Sequence, residues 1–367
     1  MARDKDAAMS FVPSAIPAIS VVIRNRRRYN PAGKNNYGGL HLQFSPIESA
    51  PDAERENRQE QQLSKLIRRV YQKTVFYRER MAAWNLQPSD IQGIGDLKKM
   101  PFMNQTDLAV NYPFGLLTMP VSGLNRLCQE KNGEDLFFSA GFTQDDLKRK
   151  TEAIGRILLS CGITTGSVLM FDSALQPERS LSLRQAAERL GATVVSAASA
   201  DASSQVQAIL DFGVTTIVSS PETISLLFGI ARQNGIDRLP LQSAFCEVHQ
   251  CHEDVRAVLE EKFQIPVFLF YGRSDIMNVG IAGECYQRDG LHIQDDCFIP
   301  EIIDPDTGEL LDEGKPGELV LTTLFREGMP LIRYRTGDIV QLIRGRCICG
   351  RTMPRLQIIF DPMTNRS

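Results

Sequence analysis

Val267-Phe268-Leu269-Phe270, four consecutive apolar residues, runs directly into Tyr271-Gly272-Arg273-Ser274-Asp275, a polar turn built round a glycine. A short apolar run bounded by turn residues fits a strand buried on both faces. It is the last of a series. Residues 168–171, 192–195 and 216–218 read the same way, and helical periods occupy residues 147–159, 178–190, 203–212, 221–233 and 253–263. Strands alternating with helices of this length imply parallel strands joined by helical crossovers. The expected fold class is therefore α/β, a parallel-stranded sheet with flanking helices.

Working outward, Leu63, Leu66, Ile67, Val70 and Tyr71 set one helical face from Gln59 onward. Residues 1–58 are punctuated by Pro13, Pro17, Pro31, Gly33, Gly38, Gly39, Pro46 and Pro51, and read as a loosely ordered N-terminal extension. On the other side the pattern changes after Phe298. Glu301-Ile302-Ile303 and Leu310-Leu311 flank a turn at residues 304–308, residues 317–324 form a further apolar run, and residues 285–356 are strand-rich. Residues 357–367 read as a short tail.

Composition bounds the function. A chain of 367 residues with 43% hydrophobic side chains can bury a full core in more than one lobe. No apolar run approaches the roughly 18 residues of a membrane span. Arg24, Arg26, Arg27 and Arg28 follow the apolar residues 11–23, the reverse of a secretory signal, whose charges come first. Eight cysteines spread over this length read as reduced thiols or metal ligands, and the expected compartment is the cytoplasm. Residues 1–45 carry a charge of +5, leaving −8 on the rest of a chain whose net charge is −3; that acidic body argues against a nucleic-acid partner.

Several stretches, in one order, resemble the phenylacetate-coenzyme A ligase family. They are Val75-Phe76-Tyr77-Arg78, Asn111-Tyr112-Pro113-Phe114-Gly115, Leu269 to Asp275, Phe298-Ile299-Pro300-Glu301-Ile302-Ile303-Asp304-Pro305, residues 317–324, and Pro330-Leu331-Ile332-Arg333-Tyr334-Arg335-Thr336-Gly337-Asp338. The resemblance covers residues 59–356 and implies the large N-terminal domain of an adenylate-forming enzyme. Such enzymes join a carboxylate to ATP, releasing pyrophosphate, and pass the acyl group from the acyl-adenylate to a thiol. It implies that Asp338 accepts from both ribose hydroxyls, two oxygens on one turn suiting two adjacent donors. It implies that Tyr271 flanks the adenine, that Gly272 lets the backbone approach it, and that Ser274 and Arg335 belong to the same nucleotide motifs. Asp275 stands where the family holds Mg2+ with a glutamate, and Glu247, in Phe245-Cys246-Glu247, falls near the nucleotide; these two are the candidate catalytic carboxylates. ATP or AMP, Mg2+ and CoA are the implied cofactors. A small aryl or related carboxylic acid is the implied substrate, in an apolar pocket near Phe245, Phe270 and residues 276–279.

Departures from the family bear on activity. The phosphate loop should fall at residues 128–143, where backbone N–H groups and hydroxyls would face the anion. Glu130, Glu134 and Asp135 instead bring negative charge, so weak binding of the ATP triphosphate, or none, is expected, with Lys131, Asn132 and Gly133 as the favourable residues. The family's small C-terminal domain with its catalytic lysine is not expected within this sequence, which makes a protein supplying that domain an expected partner. Residues 171–180 also differ from the glycine- and aromatic-rich stretch expected beside the acyl pocket. An enzyme with impaired or partner-dependent activity and a catalytically silent nucleotide-binding or regulatory relative are both consistent with these residues.

Cys285, His292, Cys347 and Cys349 resemble a zinc site found in part of the family. Three thiolates and an imidazole suit tetrahedral Zn2+, and a Cys-x-Cys turn followed by Gly350 lets two sulfurs face one ion. Cys297 is a reserve ligand. A second group, Cys246, His249, Cys251 and His252, crowds four ligand-type residues into seven positions and reads as coincidence.

Overall fold

The computed structural model describes residues 45–132 and 136–359. The chain enters through α1 (Asp52–Lys73), α2 (Val75–Ala83) and α3 (Gln105–Val110), then forms a hairpin of β1 (Arg126–Asn132) and β2 (Leu136–Phe142). The alternating region follows: α4 (Gln144–Ser160), β3 (Val168–Phe171), α5 (Pro177–Arg189), β4 (Thr193–Val195), α6 (Ala202–Asp211), β5 (Thr216–Val218), α7 (Pro221–Gln233), β6 (Ser243–Glu247), α8 (Glu253–Phe263) and β7 (Val267–Tyr271). The expected strands and helices are present to within a few residues at their ends. β6 is an addition: Ser243-Ala244-Phe245-Cys246-Glu247 has no β-branched residue and is polar at both ends, so it does not read as a strand alone.

β4, β3, β5, β6 and β7 pair in that order, all parallel. Both faces are covered, and side chains alternate between two cores as a period of two requires. Phe245 of β6 joins Phe268 and Phe270 of β7 in one core with α4 and α5. Ala244, Cys246, Val267, Leu269 and Tyr271 point into the larger core on the opposite face. Phe245 and Phe270, expected as pocket lining, are thus built into the packed interior, with Phe245 and Phe268 rings 5.5 Å apart.

The strand-rich part is continuous with this sheet. β8 (Ala282–Gly283), β9 (Leu291–Ile293), β10 (Phe298–Ile303), β11 (Pro316–Thr323), β12 (Tyr334–Ile343) and β13 (Arg355–Ile358) extend it antiparallel in the order β7-β8-β9-β13-β12-β11-β10. Eleven strands form one mixed sheet. Gln357 and Ile358 lie in β13, so the expected tail beginning at 357 is corrected: Gln357 pairs with Gln341 and Ile358 with Val340. No helix among the described residues is long and apolar enough to cross a membrane.

The start of the chain also needs correction. α1 begins at Asp52, and residues 45–58 are part of the fold rather than of a loose extension, while residues 1–44 lie outside the described residues. Their first turns bury Arg55 and Gln59 instead of apolar side chains, so no hydrophobic period announces them. Arg55 donates through Nε to Asp295 Oδ2 at 2.7 Å, and Gln59 Nε2 donates to the Asp295 carbonyl at 2.6 Å.

Asp295 Oδ1 is buried without a hydrogen-bond partner. Burial pushes this carboxyl up to about 6, against the pull of Arg55. The folded protein therefore holds the proton more tightly than the unfolded chain, and the resulting stability is present in full below the ordinary value of 3.8 and lost as pH rises through about 6. Urea unfolding should show wild type gaining roughly 2 to 3 kcal/mol relative to Asp295→Asn between pH 7 and pH 4. Comparing the two proteins at each pH cancels the titration of groups they share.

Candidate functional site: a carboxyl edge and a cysteine-histidine cluster

Parallel strands present their carboxyl ends on one edge, where open α/β sheets receive ligands. Here that edge carries Asp172 after β3, Ser219 after β5, Glu247 at the end of β6 and Tyr271 at the end of β7. The Ser219 hydroxyl donates to Asp172 Oδ2 at 2.7 Å. Glu247 pairs with Phe270 in the register, one residue short of Tyr271. β12 crosses the same end and delivers Asp338.

Asp338 and Tyr271 meet directly. The Tyr271 hydroxyl donates to Asp338 Oδ2 at 2.6 Å, and Arg273 Nη1 donates to the same oxygen at 3.0 Å. The neighbour of Oδ1 is His249 Nε2 at 3.8 Å, beyond hydrogen-bond reach, and the His249 ring lies 5.5 Å from the Tyr271 ring. One carboxylate oxygen is thus engaged internally while the other faces a part-exposed imidazole. Burial and the adjacent Asp338 raise the Tyr271 phenol well above its ordinary value, so it stays a donor.

Asp275 is held more tightly. Arg273 donates Nε to Oδ1 at 3.1 Å and Nη2 to Oδ2 at 2.8 Å, and the Tyr334 hydroxyl adds 2.6 Å to Oδ2. The carboxylate side chain is only 3% exposed. Glu247 is ion-paired with Arg179 from α5. Ser274 sits half-buried in the turn between Arg273 and Asp275. Arg335 is not brought into this group: it pairs with Glu318 of β11, with Nε 2.9 Å from Oε2, and also donates to the Pro305 carbonyl at 2.7 Å.

Gly272 has an internal reason to be glycine. A Cβ there would overlap the Asn278 carbonyl and the Val279 Cα, because the turn folds back on itself. Gly272→Ala should cost about 2 to 4 kcal/mol in urea unfolding, since the obstruction is backbone and cannot rotate away.

The hairpin of β1 and β2 occupies the expected phosphate-loop position, in register from Arg126 opposite Phe142. Gly133, Glu134 and Asp135 lie outside the described residues. Glu130 is turned inward, accepting from Asn278 Nδ2 at 3.0 Å, and burial raises its carboxyl. Behind the hairpin Thr143 caps α4: its Oγ1 accepts from Asp146 N at 3.1 Å. Asp146 accepts in return from Thr143 N at 2.9 Å, and from Glu327 N and Gly328 N at 2.6 and 3.0 Å. The helix start is thereby fixed against the loop that follows β11.

The thiolate cluster lies apart from this edge. Cys285 follows β8, His292 is in β9, and Cys347 and Cys349 belong to the turn between β12 and β13; all four are buried. Their ligand atoms lie within 4.8 Å of one another. Cys285 Sγ and Cys347 Sγ are 3.9 Å apart, and Cys349 Sγ is 3.5 Å from His292 Nε2. A tetrahedral ion with bonds of about 2.3 Å to sulfur and about 2.05 Å to nitrogen requires roughly 3.8 and 3.5 Å for these edges. The residues fit such an ion. His292 Nδ1 lies 3.3 Å from the Met353 carbonyl, which would leave Nε2 to the metal. Mutual contacts within the cluster lower the Cys349 thiol and raise Cys285, so without a metal the negative charge settles on Cys349. Cys297 is buried outside the group, and of Cys246, His249, Cys251 and His252 the structure places His249 beside Asp338 instead.

Sequence reading gave no role to Arg273, Arg179 or Tyr334. The signal for Arg273 was its position two residues before Asp275, but an arginine in a motif turn does not disclose which acids its fork will reach.

No family model matches the chain. Among solved structures, it resembles 2-hydroxyisobutyryl-CoA ligase in an open conformation with 2-HIB-AMP and CoA, with a TM-score of 0.76 at 23% identity over 84% of this chain and 70% of that one. That likeness shows a shared fold over most of this chain. The phenylacetate-coenzyme A ligase of Thermus thermophilus is 35% identical over 326 residues, spanning 86% of this chain and 72% of the relative. That of Escherichia coli K12 is 30% identical over 334 residues, spanning 88% and 75%. The chain belongs to the phenylacetate-coenzyme A ligase family.

Proposed function

We propose that the chain is an AMP-forming ligase of aryl or related carboxylic acids, holding the nucleotide at the carboxyl edge between Tyr271 and Asp338. Adenylate-forming CoA ligases use ATP, Mg2+ and CoA. The acid's carboxylate oxygen attacks the α-phosphorus of ATP and expels pyrophosphate; a thiol then attacks the acyl carbon and expels AMP. The carrying observation is Asp338, delivered by β12 beside Tyr271 with Oδ1 outside hydrogen-bond reach of the protein's nearest donor. That oxygen suits a ribose hydroxyl. Preorganised acceptors on rigid strands position the nucleotide without reorganisation.

The Cys285, His292, Cys347 and Cys349 cluster is read as a structural Zn2+ site. Its ligand count is complete with protein residues, so its contribution is to tie β8 and β9 to the turn before β13. The catalytic lysine implied by the family would act on this edge from outside the described residues. A second reading, an adenylate-binding or regulatory relative without turnover, is favoured by the Arg273 ion pairs that engage both site aspartates.

Acid-dependent pyrophosphate release and acyl-CoA formation, screened over aryl acids with the purified chain, test the first reading. Turnover dependent on one such acid supports it. Nucleotide binding without turnover for any acid, alone or with a ligase partner, supports the second.

A further inference from the structure

We infer that Arg273 takes the place of a protein-held divalent ion in the nucleotide site, so that this chain favours a nucleoside monophosphate or adenylate ester whose phosphate is met by a guanidinium. The inference rests on reading Asp275 and Asp338 as the nucleotide-facing acids. One guanidinium spans both: Nε and Nη2 grip the two oxygens of Asp275 at 3.1 and 2.8 Å, and Nη1 reaches Asp338 at 3.0 Å. Such fork-to-carboxylate pairing is the strong form of the charge-assisted hydrogen bond.

Magnesium requires a carboxylate lone pair at about 2.0–2.1 Å in octahedral geometry, with several waters retained. Asp275 is poorly placed to give one. Three donors already occupy its oxygens, counting Tyr334, and its side chain is 3% exposed, leaving little room for a hydrated ion. An ion on Oδ1 would also sit beside the guanidinium that grips the same atom, in a poorly solvated site where repulsion between cations is strong. Arginine carries five N–H donors, of which three are directed at these carboxylates. Of the other two, one lies against the Tyr334 hydroxyl, and the fork can still turn a donor toward a phosphate oxygen. The positive charge that a bound ion would contribute is thus supplied by the chain.

Manganese uptake read by electron paramagnetic resonance tests this in metal-depleted buffer, without chelator so that the thiolate cluster is undisturbed. Wild type, Arg273→Gln, Arg273→Lys and Asp275→Asn are compared as full chains, with folding checked by circular dichroism. Wild type should match Asp275→Asn, whereas Arg273→Gln should take up about one Mn2+ per chain, lost again when Asp275→Asn is added. Arg273→Lys, which keeps the charge without the fork, should remain without Mn2+. In parallel, Mn2+ should leave AMP affinity of wild type unchanged within about twofold and tighten that of Arg273→Gln about tenfold. Uptake by wild type that Asp275→Asn abolishes overturns the inference, as does a folded Arg273→Gln that takes up none. If Arg273→Gln does not fold, the wild-type comparison still decides. Failure of the nucleotide reading would show separately, as wild type that binds no AMP.

Discussion

Replacing Cys347 and Cys349 with serine should abolish the proposed zinc site and loosen the end of the sheet where β8, β9 and β13 meet. Metal analysis of protein purified without added metal should give about one zinc per chain for wild type and none for the double variant. The effect is expected to be large because binding and folding are linked: structural zinc contributes on the order of 10 kcal/mol in small domains. The damage should also spread to the start of the chain. Arg351 donates Nη1 to Cys349 Sγ at 3.7 Å and Nε to Glu48 Oε2 at 2.6 Å, and Thr352 Oγ1 donates to the Ala50 carbonyl at 2.6 Å. Limited proteolysis should therefore cut both the turn at residues 344–353 and the segment at residues 45–51 in the variant. A metal-free wild type with a full-height cooperative transition would contradict the zinc assignment.

Asp338→Ala should lower AMP affinity by at least about a hundredfold, the loss expected when a carboxylate that accepts charge-assisted hydrogen bonds is removed from a preorganised site. The same change leaves the Tyr271 hydroxyl buried without its acceptor and removes one of the two carboxylates paired with Arg273. A stability loss of about 1 to 3 kcal/mol should accompany the lost affinity. Asp338→Asn separates the two effects. It keeps an acceptor for Tyr271, and should recover most of the stability while leaving binding weak.

Most of the parallel half of the fold was legible because β3, β4, β5 and β7 are short runs of apolar and β-branched residues and each crossover has a clear helical period. Val267 to Phe270 and the helices of residues 221–233 and 253–263 are read from single-residue patterns. The first turns of α1 were not legible, since Arg55 and Gln59 are buried by pairing with Asp295 rather than by hydrophobicity. β6 was not, because it contains no β-branched residue and is bounded by Ser243 and Glu247, and the continuity of the sheet through β8, only two residues long, is a tertiary fact with no local pattern. At the site, Asp338, Tyr271 and Asp275 could be nominated from motif positions. What joins them is Arg273, and its reach to Asp338 spans 65 residues of sequence. Arg335, named from the same motif as Asp338, goes to the other side because a β-strand alternates its faces and Glu318 waits there. The four metal-type residues stood out by chemistry, yet their convergence depends on β9 pairing with β13, which brings His292 opposite Arg355.

Calorimetric titration of the purified, zinc-replete full chain with AMP tests the nucleotide edge most directly, since it requires no knowledge of the acid. The account predicts one binding event per chain, in the micromolar range and abolished by Asp338→Ala. A folded chain that gives no binding heat across several temperatures, or one whose AMP affinity is indifferent to Asp338→Ala, would contradict it.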